Sequence, residues 1–249
     1  MISIKSPREL NIMREVNKIV AETHEYLSEI IKPGISTAEI DKKGDEFIRK
    51  HGAEPSFKGY RGYPASICVS INDEVVHGIP NPMRILKEGD IVSLDIGAFY
   101  KGFNGDAART LPVGKVSKEA QKLIDVTRVS LEKGINKAFS KNHLSDISNA
   151  VQTYVEKNRF SVVREYVGHG IGRDMHEPPQ IPNFGSPGHG PILKEGMTLA
   201  IEPMVNVGDF KVETIDDNWT VITKDGSLSA HFENTIAITK NGPEILSKV

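Results

Sequence analysis

Three apolar stretches of the sequence each carry a single carboxylate at mid-length, and any fold has to accommodate them. Asp95 interrupts Ile91-Val92-Ser93-Leu94-Asp95-Ile96-Gly97-Ala98-Phe99, and Glu202 interrupts Leu199-Ala200-Ile201-Glu202-Pro203-Met204-Val205. Glu233 sits between Ala230-His231-Phe232 and Asn234-Thr235-Ile236-Ala237-Ile238. Short apolar runs of this kind read as core strands. An unpaired carboxylate in such a strand is very unfavourable, so it shifts its pKa, joins an ion pair or binds a metal. None of the three runs contains a lysine or arginine.

Asp106 adds a fourth acid by hairpin geometry. If Tyr100-Lys101 forms the centre of a two-residue turn before Gly102, residues whose numbers sum to 201 face each other, and Asp95 lies opposite Asp106. Opposed positions hold their α-carbons about 4.5 to 5.5 Å apart, so two carboxylates there repel unless cations lie between them. Two metals about 3.5 to 4 Å apart are the recurrent solution. The pairing is conditional on the length of the loop. Histidines complete the inventory: His169 has glycine on both sides, which lets backbone approach closely, and His77 and His176 lie in loop-like segments suited to function. Taken singly, each acid reads equally well as a structural ion pair or turn residue and as a functional group, and each histidine reads more readily as a satisfied hydrogen-bonding side chain than as a ligand; the joint placement of the acids is what points to chemistry. Tyr60, Tyr63, Phe57 and Trp219 could wall an apolar pocket, and Cys68, within Ile67-Cys68-Val69, reads as a small buried hydrophobe.

Helices frame these strands. Ser6-Pro7-Arg8-Glu9 combines a capping serine, a first-turn proline and a glutamate three positions on, and helical periodicity then runs to Pro33-Gly34. Ser36 to Glu39 repeats the capping pattern for a helix ending near Gly52, and two more are predicted over about Ser117 to Phe139 and Leu144 to Asn158. Leu86-Lys87-Glu88-Gly89 recurs as Leu193-Lys194-Glu195-Gly196, with Asp95 and Glu202 each six residues beyond the glycine. The offset of 107 also lays Ile40 on Ile147, Phe47 on Tyr154 and Ile48 on Val155, which predicts an internal duplication with two similar halves facing each other.

Composition narrows the function classes. A length of 249 residues suits one unit of catalytic size, and a net charge of −2 gives no electrostatic reason for nucleic acid or an anionic membrane as partner. One cysteine rules out an intrachain disulfide, and the first residues lack the basic segment and apolar run of a secretory signal, so the cytoplasm is the expected compartment.

Val76-His77-Gly78-Ile79-Pro80, Asp95 and Asp106 eleven positions apart, Gly168-His169-Gly170-Ile171-Gly172, Ile201-Glu202-Pro203 and Phe232-Glu233-Asn234-Thr235 together resemble the type I methionine aminopeptidases over nearly the whole chain. The resemblance implies an α+β fold of the pseudo-two-fold symmetric pita-bread (creatinase/aminopeptidase) kind, with antiparallel sheets covered by helices. It implies one catalytic domain over 1–249, with halves of about 1–112 and 113–249. Asp95, Asp106, His169, Glu202 and Glu233 would hold two divalent ions (cobalt, manganese, iron or zinc), which lower the pKa of a bridging water and polarise the scissile carbonyl. Glu202 would accept the proton, while His77 and His176 contact the substrate amide and the intermediate. The methionine pocket would comprise Tyr60, Tyr63, Cys68, His77, Met175, His176 and Trp219. Phe57 and Arg61 stand where many relatives carry cysteine and histidine, and Met175 where phenylalanine is frequent. A monovalent cation site near Asn72, Glu74 and Ser229 is also implied.

By the same resemblance the substrates are nascent polypeptides with N-terminal methionine and a small second residue, met by a monomer close to the ribosome. Two other readings compete. A prolidase or aminopeptidase P relative would share fold and ligands but carries an N-terminal domain for which Ser6 leaves no room. A non-catalytic binding homologue would be expected to lack ligands that this sequence retains.

Overall fold

Ser6 starts the first helix as its sequence predicts: its hydroxyl accepts from Glu9 N–H, and the Glu9 carboxylate accepts from Ser6 N–H. The computed structural model describes residues 2–248. Among them are four α-helices: α1 (Pro7–Ile30), α2 (Thr37–Lys50), α3 (Lys118–Ile135) and α4 (Leu144–Lys157). Ser36 and Ser117 cap α2 and α3 by accepting the backbone N–H of Glu39 and Ala120. The third helix ends four residues earlier than its periodicity predicts, because the chain tightens into turns after Asn136. No described helix is long and apolar enough to cross a membrane.

The main sheet has nine strands among the described residues. Its path runs Glu54–Pro55, Ile91–Tyr100, Phe103–Pro112, Glu233–Thr239, Thr198–Ile201, Gly168–Gly170 and Glu177–Ile181, with Cys68–Ile71 and Gly242–Ile245 attached at its sides. All of its pairings are antiparallel. Strand alternation then separates two chemistries. Val92, Leu94, Ile96, Ala98 and Ala107 pack with Val16, Val20, Leu27, Ile40 and Ile48 of α1 and α2. Leu199, Ile201, Ile236 and Ile238 pack with Leu123, Leu131, Ile147 and Val151 of α3 and α4. Burying each such side chain contributes about 1.5–3 kcal/mol. The intervening positions, including Asp95, Asp106, Glu202 and Glu233, fall on the opposite face.

The offset of 107 recurs in the contacts. The limits of α2 map onto those of α4, and the bridge between Ser36 and Ile85 maps onto that between His143 and Ile192. Gly34 N–H donates to Leu86 O, as Lys141 N–H donates to Leu193 O; Ala53 donates to Ile48, as Phe160 does to Val155.

Candidate active site

The two adjacent long strands carry the first two acids, in a register that corrects the sequence expectation. The turn is Lys101-Gly102, not Tyr100-Lys101, so Tyr100 faces Phe103, Asp95 faces Ala108 and Asp106 faces Gly97. A two-residue turn of this type needs positive φ at both centres; Lys101 (48°) and Gly102 (84°) supply it, with glycine taking the second position. Asp95 and Asp106 are therefore diagonal neighbours on one face rather than directly opposed. The shift is two residues, so the face is unchanged.

The acids from distant strands meet here. One ligand atom each of Asp106, His169 and Glu233 can be chosen so that all lie within 4.8 Å of one another. His169 Nε2 is 3.5 Å from Glu202 Oε1 and 4.0 Å from Asp106 Oδ2. The His169 ring is oriented by its Nδ1, 2.9 Å from Gly170 O; with Nδ1–H donating, the Nε2 lone pair faces the carboxylates, which is the tautomer a metal ligand needs. Glycines on either side are required by close backbone approach: a Cβ on Gly168 would run into Ala200 O, and one on Gly170 into Pro178 O.

Electrostatics decide what the cluster can hold. Asp95 Oδ1, Asp106 Oδ1 and Glu233 Oε1 are buried with no hydrogen-bond partner. Burial pushes Asp95 up to about 7, with His231 opposing and Glu202 adding to the shift. Asp106 is held well above the usual carboxylate range by burial and then by Asp95. Glu233 is raised by burial and by Asp106, Glu202 and Asp95; Glu202 is raised by burial. Burial lowers His169 to about 3, so it stays neutral. Four acids and a neutral imidazole, with no lysine or arginine paired to them, have the donor chemistry of an oxygen- and nitrogen-rich divalent site. The residues fit such ions, which would satisfy the orphaned oxygens.

All five candidate ligands line one cavity of about 150 Å³, together with Phe57, Tyr60, Arg61, Tyr63, Cys68, His77, His176 and Trp219. That is well below the roughly 300–1,000 Å³ of sites that engulf a drug-sized ligand and is on the scale of a single side chain. Tyr63 and Trp219 meet edge to face at 5.1 Å. His77 stands edge-on to Trp219 and Tyr166, and burial lowers it to about 4. Tyr60 OH lies 2.9 Å from His176 Nδ1, with the two rings stacked, and the His176 ring centroid is 4.3 Å from that of His169. Burial followed by the Asp95 charge raises Cys68 well above the ordinary thiol range, consistent with a packing role.

Met175 departs from the expected pocket. It is buried beside Gly97, where a Cβ would meet both its methyl group and the Phe57 ring, and Phe57 is the residue that reaches the cavity wall. Around the expected monovalent site, Ser229 N–H donates to Asn72 O at 2.8 Å, which joins two of the three residues. Glu74, however, is paired with Arg84, and the Asn72 side chain is engaged by Ile91 N–H and Asp90. The residue missed by sequence reasoning is His231, whose Nε2 lies 3.6 Å from Glu202 Oε2. Its signal was available: it precedes Glu233 by two positions, the spacing that returns a strand to the same face.

A family model described as Metallopeptidase family M24 matches residues 11–240. The chain is 60% identical over 249 residues to methionine aminopeptidase 1 of Bacillus subtilis, with both sequences covered in full. The fold matches the crystal structure of methionine aminopeptidase from Thermotoga maritima with a TM-score of 0.99, at 48% identity and full coverage of both chains. Xaa-Pro dipeptidase from Bacillus anthracis is more distant, with a TM-score of 0.78 and 25% identity, and the match takes in 99% of this chain but 62% of that one. The shared arrangement of helices on curled antiparallel sheet is the pita-bread fold. Sequence identity along the whole chain, the fold and the convergence of buried acids agree: the chain belongs to the M24 metallopeptidases, and within them to the methionine aminopeptidases.

Proposed function

We infer that the protein is a dinuclear metal-dependent exopeptidase that removes N-terminal methionine from peptides and nascent proteins. The observation that carries the reading is the set of buried carboxylate oxygens without partners, at the floor of a cavity that admits one side chain. Asp95, Asp106, His169, Glu202 and Glu233 would hold two divalent ions. When bound, such ions supply Lewis acidity, lowering the pKa of water and stabilising charge on the scissile carbonyl oxygen.

The chain's own groups do the rest. Phe57, Tyr63, Cys68 and Trp219 receive the unbranched thioether side chain by shape and dispersion, with Met175 packed behind them. Glu202 accepts the proton released when water attacks. With the Tyr60 hydroxyl donating to His176 Nδ1, the neutral ring carries its proton on Nε2 and can donate to the developing oxyanion. His77 contacts the substrate amide from the opposite wall. The neighbouring subsite accepts small second residues.

In the same reading residues 1–249 act as one catalytic domain of two related halves, a monomer working in the cytoplasm near the ribosome. A monovalent cation near Asn72, Glu74 and Ser229 would have a stabilising role, coordinated mainly by backbone oxygens. The test is a peptide assay of chelator-stripped protein, before and after adding manganese, cobalt, iron or zinc, on Met-Ala-Ser, Met-Lys-Ser and Xaa-Pro peptides. Metal-dependent cleavage of Met-Ala-Ser alone is expected. Cleavage only of Xaa-Pro peptides, or none with any metal, refutes the reading.

A further inference from the structure

His231 is absent from every role assigned above, yet its ring is buried at 2% exposure and its Nε2 has no hydrogen-bond partner. Its backbone is clamped. His231 N–H donates to Thr110 Oγ1 and the Thr110 hydroxyl donates to His231 O, each at 2.9 Å, while the Ser93 hydroxyl lies 2.8 Å from the same Thr110 oxygen. Ser93 and Thr110 belong to the two strands that carry Asp95 and Asp106, so the ring is fixed in the frame of those acids. From there Nε2 reaches Glu202 Oε2 at 3.6 Å, while the other Glu202 oxygen lies 3.5 Å from His169 Nε2.

Glu202 thus stands between two imidazoles that serve it differently. The His169 ring donates from Nδ1 to Gly170 O and turns a lone pair toward the centre. Among the described residues the carboxylate within 4 Å of His231 Nε2 is that of Glu202. We propose that His231 is a positioning residue: its Nε2–H donates to Glu202 Oε2 and so holds the opposite oxygen toward His169 and the metal centre. The proposal rests on the reading of Glu202 as a ligand and proton acceptor. A carboxylate shift of less than about 1 Å shortens the contact to the roughly 2.7–2.9 Å of a charge-assisted hydrogen bond. Partners of this kind orient ligands without touching the metal, and losing one typically costs about 10–100-fold in metal affinity or activity.

The test compares wild type with His231→Gln, His231→Asn and His231→Leu. Manganese affinity is read by isothermal titration calorimetry, the cobalt-loaded proteins by electronic absorption, and kcat and KM on Met-Ala-Ser. His231→Gln, whose amide nitrogen reaches the position of Nε2, is expected to stay close to wild type. His231→Leu and His231→Asn, which lack a donor there, are expected to bind manganese about 10–100-fold more weakly with an altered cobalt spectrum. If the leucine variant does not fold, glutamine against asparagine carries the comparison, since both are polar and differ in reach. Wild-type metal binding with asparagine or leucine variants indistinguishable from glutamine overturns this proposal alone. No metal binding by wild type overturns the metal-centre reading and this proposal with it.

Discussion

Stripping divalent metal and raising the pH from 7.5 to 8.5 isolates the electrostatic penalty of the acid cluster. The folded-state pKa of Asp95 is raised from 3.8 to about 7, and Asp106, Glu202 and Glu233 are raised well above their ordinary values. The native protein therefore keeps protons that the unfolded chain has lost, and stability present at low pH is lost as pH rises through the folded values. The buried histidines act in the opposite sense. His24 and His169 are lowered to about 3 and His77 to about 4, so the native state resists their protonation and loses stability as pH falls below about 6.5. At pH 6.5 the unfolded histidines are still about half charged, but above about pH 7.5 they are neutral in both states, and the carboxylates dominate.

For Asp95 the full shift is worth about 4 kcal/mol, most of it already lost by pH 7.5, so the slope above that pH comes from Asp106, Glu202 and Glu233. Each acid that keeps its proton across one pH unit costs the native state about 1.4 kcal/mol. At about 2–4 °C per kcal/mol for a chain of this size, one such acid should lower the metal-free melting temperature by about 3–6 °C. Manganese at about 100 times its dissociation constant restores about 2.7 kcal/mol, and more as pH rises, because binding displaces the retained protons. Differential scanning calorimetry at three pH values, with chelator and with manganese, reads both slopes. A metal-free melting temperature that is flat or rises over this window would refute the claim that these acids are buried without a counter-charge.

Three substitutions probe the rest of the construction. His169→Ala should weaken manganese binding by at least about tenfold in calorimetry, whereas His176→Ala should bind metal normally and lose about 100-fold or more in kcat, the range for a lost oxyanion donor. Gly170→Ala drives a Cβ into the Pro178 carbonyl and should cost about 1–3 kcal/mol in urea unfolding, with metal affinity falling alongside because His169 moves with the strand. Arg159, exposed at φ 67° where the matching position of the first half is Gly52, should accept glycine with a change between about zero and a 1 kcal/mol gain in stability.

What was legible in the sequence had local causes. Ser6, Ser36 and Ser117 announced three helix starts because capping is decided within four residues. The acids were legible because a charge inside an apolar strand has few physical outlets. The hairpin register was not: Tyr100-Lys101 and Lys101-Gly102 both fit a two-residue turn between apolar runs, and the choice fell to the glycine's tolerance of positive φ. The positive φ of Arg61 inside the short 3₁₀ turn Tyr60–Gly62 had no sequence signal either. His231 and Met175 depended on packing between segments far apart in the chain, where one side chain's place is fixed by another's volume.

The 107-residue offset that recurs in the contacts accounts for where the site lies but not for its full composition. Asp95 and Glu202 occupy matching positions in the two halves, so two related strands each bring one carboxylate to the seam. The counterpart of Asp106 is Glu213, exposed on the small strand Val212–Thr214, and Gly62 stands where His169 has its match. The remaining candidate ligands thus break the symmetry. The cavity wall breaks it further: Phe57, Tyr60, Tyr63, Cys68 and His77 come from the first half and Trp219 from the second, while the polar floor draws Asp95 and Asp106 from the first and His169, His176, Glu202 and Glu233 from the second. A symmetric cleft would offer a peptide two equivalent orientations. In the proposed reading, one half supplying most of the side-chain pocket and the other most of the polar centre would leave a single productive direction of entry, with the terminal side chain against the first half and its carbonyl toward the acids.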